Sequence, residues 1–180
     1  MKFSLKIVLL LILLFTFSCA HQDHKLPKES NVNIVKNLDG NRWGNIYFSG
    51  QPSDISLNNL KAKGFKTVIN LRAKKEGRYL ESHERMVLKK YNLNYYNIPL
   101  LMNKDMTDDY ISSVTSKIMK HKKEGKILVH CSSGNRVAIW LGGHFKKDHG
   151  FSNEKSLSLA KELGLTKEVA EKKLLSYLNR

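Results

Sequence analysis

Residues 129–136 read VHCSSGNR: a His and a Cys side by side, then two Ser, a Gly, an Asn and an Arg. An apolar run, KILV, leads in, and an apolar segment, VAIWLGGHF, follows. The order strand, small-residue loop, helix turns several backbone N–H groups inward, and with the helix dipole they form a pocket for an anion. The same field favours the thiolate of a Cys at the loop start, which is the form that acts as a nucleophile. Gly134 lets the backbone turn closely, and Arg136 offers a planar fork for two oxyanion oxygens. Against this stands the reading of Cys131 as a buried structural thiol, a common role for Cys. Cys, Gly and Arg in this setting favour catalysis or anion binding. A pocket that only binds remains an alternative.

The elements that would place this loop alternate along the chain. NIYFSG is a short strand ending at Gly50. QPSDISLNNLKAKG is a turn and then a helix, opened by Pro52 and Ser53 and stopped by Gly64. FKTVINLR is a strand and GRYLESHERMVLKKYN an amphipathic helix. LNYYNIPL is the next strand, closed by Pro99. TDDYISSVTSKIMKHKKEG is a helix with Thr107 as N-cap and Asp108 and Asp109 at the positive end of its dipole. KILVH is a short, fully apolar strand of the kind buried in a parallel sheet, and three helices complete the chain. Such alternation predicts a single three-layer α/β domain, with a four- to five-stranded, mainly parallel sheet flanked by helices. Ligands of such sheets bind beyond the carboxyl ends of the strands, where residues 131–136 fall.

The chain has 180 residues, enough for one domain with a real core. Its 31 Lys and Arg against 16 Asp and Glu give a formal charge of +15, which suits an anionic small molecule or a phosphorylated substrate. The lysines are scattered, and no zinc finger, aromatic RNA-binding signature or basic tail points to nucleic acid. The histidines, His144 and His149 among them, show no spacing that suggests a metal, and no cofactor is implied. Residues 1–19 read as a secretory signal, with Lys2 and Lys6, an apolar run from Ile7 to Phe17 and small residues around Cys19. Ser18 before Cys19 resembles a bacterial lipoprotein processing site, although Thr16 stands where Leu is usual. The expectation is export to the cell envelope or periplasm, with a membrane anchor through a lipid on Cys19. Residues 20–40 would be a tether and 41–180 the domain. Cys131 would then be the lone thiol of the mature protein, unable to form an internal disulfide.

IYFSGQPS (46–53), LKAKGFKTVINLR (60–72), YYNIPL (95–100) and ILVHCSSGNR (127–136) together resemble the cysteine-dependent phosphatase superfamily, the tyrosine and dual-specificity phosphatases. They are most similar to a bacterial group found beside metallo-β-lactamase-like hydrolases and fused to NAD kinases. The resemblance covers roughly residues 40–165. It implies Cys131 as a nucleophile forming a thiophosphate intermediate and Arg136 as the phosphate clamp. The cradle would be the N–H groups of Ser132, Ser133, Gly134, Asn135 and Arg136, with His130 orienting the loop. It further implies an upstream Asp as general acid, for which Asp105 is the candidate, Asp108 and Asp109 being explained as first-turn helix residues. The chain departs from the family in two places. Only Ser132, Ser133, Gly134 and Asn135 separate Cys131 from Arg136, one residue fewer than in these phosphatases and close to the loop of rhodanese-type sulfurtransferases. Val137 follows Arg136 where many phosphatases carry Ser or Thr. A persulfide-carrying sulfurtransferase acting through Cys131 is therefore the alternative to a phosphoester hydrolase, and a non-catalytic anion-binding module of the envelope is a third reading.

Overall fold

The computed structural model describes residues 28–180. The expected signal segment, Cys19 and the first part of the expected tether lie outside the described residues. In chain order the elements are β1 (Lys28–Val35), β2 (Leu38–Trp43), β3 (Ile46–Ser49), α1 (Asp54–Leu60) and β4 (Phe65–Asn70). Then come β5 (Lys75–Glu76), β6 (Tyr79–Leu80), α2 (Glu81–Lys90), β7 (Asn94–Asn97) and α3 (Asp108–His121). The chain ends with β8 (Lys126–His130), α4 (Asn135–His149), α5 (Asn153–Glu162) and α6 (Glu168–Leu178).

Local chemistry sets several boundaries. Ser53 caps α1 by accepting from the Ser56 amide, and Thr107 caps α3 by accepting from the Tyr110 amide, so each hydroxyl satisfies an orphan donor of a first turn. After α1, Gly64 takes φ +84°, a left-handed conformation that costs glycine little, and the chain turns into β4.

The main sheet has six strands in the order β1-β2-β3-β8-β4-β7. β8 lies at its centre, parallel to β3 on one side and to β4 on the other. Two expectations are corrected here. Residues 28–40 are not a tether, and the sheet exceeds four or five strands. β1 and β2 form an antiparallel hairpin that extends the sheet through pairing of β2 with β3. Their polar sequences hid them, because an edge hairpin buries little: Ile34, Val35 and Leu38 are its buried apolar residues. Ladder bonding then overrides weak strand propensity. A third correction concerns α2, expected to begin near Gly77; residues 75–80 instead form the small β5–β6 hairpin, with Gly77 at φ +61° in its turn.

Side chains alternate across the strands and divide the core in two. Leu128 and Val68 join Leu57, Leu60, Leu88 and Leu93 on the face covered by α1 and α2. Ile127, Val129 and Ile69 join Ile111, Val114, Trp140, Leu141 and Leu174 on the face covered by α3, α4 and α6. The helix–sheet–helix layering matches the expected three layers. No helix among the described residues is long and apolar enough to cross a membrane.

Candidate active site

β8 delivers the site by its alternation. His130 lies in phase with Leu128 and faces the α2 layer; Cys131 follows and joins the core of the opposite face. Both residues are fully buried. The loop from Cys131 to Gly134 is stitched to the end of β3. The Cys131 amide donates to the Ser49 carbonyl (3.4 Å), the Gln51 amide donates to the Ser132 carbonyl (3.2 Å), and Gly50 and Ser133 form an isolated antiparallel bridge. Gly134 takes φ +85° and caps α4. A side chain would be strained there. Its amide donates to Cys131 Sγ at 3.1 Å. Ala138 is the first residue to donate back, to the Gly134 carbonyl (3.0 Å), so the amides ahead of it open toward the loop.

Arg136 stands in the first turn of α4. Its Nη1 lies 2.8 Å from Glu76 Oε2. The other oxygen of Glu76 lies 3.3 Å from Nη2 of Arg72, which is itself buried. The Arg72 guanidinium also donates to Gln51 Oε1 (2.9 Å) and stacks 3.9 Å above the Tyr79 ring centroid. The pairing of Arg72 with Glu76 is thus part of the site: one carboxylate bridges two guanidiniums. Burial alone would raise the Glu76 carboxyl, but the hydrogen bond and charge of Arg136, with Arg72, outweigh it and hold the group below the usual carboxylate range.

Beneath the loop, His130 Nε2 meets Glu84 Oε1 at 2.6 Å, both side chains being essentially inaccessible. Neither atom has another partner, so this is a close contact rather than a well-directed hydrogen bond. The second oxygen of Glu84 accepts from Tyr79 Oη (2.7 Å) and Asn70 Nδ2 (3.1 Å). Burial would raise this carboxyl as well, but His130, then Tyr79 and Gln51, keep it low. On the α3 side, burial pushes the Tyr110 phenol up, with Cys131 adding to the effect and Arg136 opposing it, which marks Tyr110 as a neighbour of both.

The other expected residues are placed as follows. Ser132 and Ser133 are exposed at the mouth of the loop. The Asn135 side chain is tied mainly to the segment before α6: Oδ1 accepts from the amides of Thr166 and Lys167 (both 2.9 Å), and Nδ2 donates to Thr166 Oγ1 (3.1 Å), with a longer contact to Ser133 Oγ in the loop (3.5 Å). Asp105 is exposed and pairs with Arg180 (3.0 Å), while Asp108 accepts from Tyr177 Oη (2.6 Å). Val137 is buried in the core. Trp140 is buried. Trp43 packs on Phe145, His144 and His149. Among the described residues no group of three or more His, Cys, Asp or Glu could hold a metal ion.

The sequence reading missed Glu76, Glu84 and Tyr110. Glu84 did leave a signal. It shares the buried stripe of α2 with Leu88, four residues on, where an apolar residue belongs. Glu76 left none, since only the tertiary fold brings the β5–β6 hairpin to Arg136.

A thiol at the carboxyl end of a central parallel strand, with a helix N-terminus and a guanidinium facing the same loop, defines the cysteine-dependent phosphatases. The chain belongs to one family of that class, the dual-specificity and tyrosine phosphatases fused to NAD+ kinase, whose model matches residues 26–163. It is a phosphatase-like hydrolase of this family. Among solved structures, TpbA of P. aeruginosa is similar with a TM-score of 0.65 at 19% identity, over 87% of this chain and 90% of that one. A C132S form of TpbA was crystallised with pTyr. A phosphatase of Shewanella putrefaciens gives a TM-score of 0.60 at 17% identity, over 79% and 86%. The catalytic domain of the PP-IP phosphatase SIW14 of S. cerevisiae gives 0.56 at 17%, over 74% and 81%. At these identities the likeness is one of fold. No curated protein sequence matches the chain.

Proposed function

We propose that the protein hydrolyses a phosphomonoester through Cys131. The observation that carries this reading is the Gly134 amide aimed at Cys131 Sγ at the start of α4, with Arg136 in the first turn of that helix. The thiolate attacks phosphorus, the ester P–O bond breaks, and the leaving oxygen takes a proton. Water then attacks the thiophosphate, releasing phosphate and restoring the thiolate. The N–H groups of residues 132–136 hold the equatorial oxygens, and the Arg136 fork neutralises charge gained in the transition state. In this reading Asp105 supplies the proton to the leaving group, which requires residues 101–107 to release it from Arg180. Phosphotyrosine bound to TpbA supports an aryl phosphate as the first substrate to test.

The reading extends to the N-terminus. The basic start, apolar run and Cys19 of residues 1–19 support export and lipid anchoring at the envelope, where the substrate would be met. Labelling of the chain with a palmitate analogue, lost in Cys19→Ala, tests it; an unlabelled natural chain refutes it.

One observation favours sulfur chemistry: the loop is a residue shorter than in these phosphatases. Two assays separate the readings. Turnover of an aryl phosphate, abolished by Cys131→Ser, supports hydrolysis. No turnover, together with one added sulfur on Cys131 after thiosulfate and thiocyanate formed from cyanide, replaces it with sulfur transfer.

A further inference from the structure

The ion pair under the loop has a direction. His130 presents both ring nitrogens to acceptors: Nε2 to the Glu84 carboxylate at 2.6 Å and Nδ1 to the Cys131 carbonyl at 3.5 Å. A neutral imidazole has one N–H, so it can face two acceptors favourably only as the imidazolium. A fully buried imidazolium needs a counter-charge, and Glu84 is the carboxylate in contact with it. Positive charge is thereby fixed beside the residue that must be an anion to act, and the negative end of the pair is set back on α2.

We propose that Glu84 is a positioning residue for the Cys131 nucleophile: it keeps His130 charged beneath the loop, and through His130 it holds Cys131 as a thiolate. The inference rests on Cys131 being the nucleophile and is indifferent to whether phosphate or sulfur is transferred.

The rest of the network fits this role. Glu84 is faced from the end of β4 by Asn70, from β6 by Tyr79 and from the segment after β3 by Gln51, each placing a donor on it. Tyr95 of β7 accepts from Asn70 and stands close enough for Glu84 to raise its phenol, after burial as the larger cause. The nearest further charges are Arg72, stacked on the Tyr79 ring, and Glu81, one turn back on α2 and paired with Arg85. Cys131 itself is faced by the Gly134 amide, Tyr110 and Arg136. The donors to Glu84 keep it anionic, and the fold gives the carboxylate no water to discharge into.

The test is the ultraviolet absorbance of the thiolate near 240 nm, titrated across acid to neutral pH on the full chain, with Cys131→Ser as baseline. It needs no substrate, so it reads even where no phosphoester is turned over. In Glu84→Gln the buried imidazolium loses its counter-charge and discharges. The midpoint of the thiolate signal then moves alkaline by about one pH unit, roughly a tenfold loss of thiolate at acid pH. The acid limb of kcat/KM for an aryl phosphate moves with it. Because Glu84 acts through His130, adding Glu84→Gln to His130→Gln produces no further shift. An unmoved midpoint in folded Glu84→Gln overturns the proposal. So does a shift that adds to that of His130→Gln. Where Glu84→Gln alone does not fold, the double variant decides, since its two amides can bond to one another: a midpoint equal to the natural protein's refutes the role.

Discussion

Asn135 sits inside the anion loop by sequence but ties helices together by structure, and one substitution separates the two roles. Its Oδ1 accepts from the amides of Thr166 and Lys167, at the start of α6, and its Nδ2 donates to Thr166 Oγ1. Asn135→Ala removes these three bonds and a marginal fourth, from Nδ2 to Ser133 Oγ at 3.5 Å. Asn135 is buried, but Thr166 and Lys167 are exposed, so water can reach the orphaned amides and the cost per bond falls at the lower end of the range. Three bonds at about 0.5–1 kcal/mol each sum to about 2 kcal/mol. For a chain of this size that lowers Tm by roughly 4–8 °C. At a temperature where the variant is fully folded, KM for an aryl phosphate stays within about twofold, a change of 0.4 kcal/mol or so. Thermal unfolding followed by Trp fluorescence and initial-rate kinetics give both readings. Asn135→Asp is the control: it keeps the acceptor for both amides and most of the Tm, while its charge beside the loop weakens anion binding. An unchanged Tm with a raised KM in Asn135→Ala would refute the bracing role and restore Asn135 as a residue that touches substrate.

Other substitutions follow from the same geometry. Gly134→Ala forces a side chain into φ +85°, costing about 1–2 kcal/mol of strain within the loop, and is expected to lower kcat/KM roughly tenfold in steady-state assays. Arg72→Lys loses the stack on Tyr79 and the fork that reaches Gln51 and Glu76. Urea unfolding should show a loss of about 1–2 kcal/mol, and an unchanged midpoint would count against the brace. His144 is held below its ordinary value of 6.5, burial outweighing the bond from Asp148. Its folded-state value is depressed, so its contribution to stability is complete above the unfolded value and is lost as pH falls through the lowered one. The decline of Tm on acidification from pH 7 to 5 should be shallower in His144→Gln; an identical slope would remove His144 from the account.

The centre of the fold was legible because its signals are local. KILVH and FKTVINLR are short apolar runs bounded by turn residues, and buried parallel strands are written that way. The loop from Cys131 to Arg136 was legible for the same reason, being one contiguous segment between a strand and a helix. The β1–β2 hairpin was not, since residues such as Lys28, Glu29, Asn31 and Asn33 face solvent and carry no apolar alternation. What holds it is the register of β2 on β3, set by long-range pairing. The tightest point is Gly40, where a Cβ would meet the Phe48 carbonyl at 2.0 Å. The charge environment of the site was hidden in the same way. Glu76 and Glu84 lie more than forty residues before Cys131 in sequence, and only the tertiary fold brings the β5–β6 hairpin and α2 to the end of β8.

The complete burial of Cys131 amounts to a sieve. The Cys131 thiol has no exposed surface, the loop around it is stitched to β3, and Glu76 is drawn across Arg136 in the first turn of α4. A slim tetrahedral anion offers the charge that Arg136 will exchange for Glu76. The nucleophile is thus kept from mixed disulfides by shape, where other thiols depend on reducing surroundings.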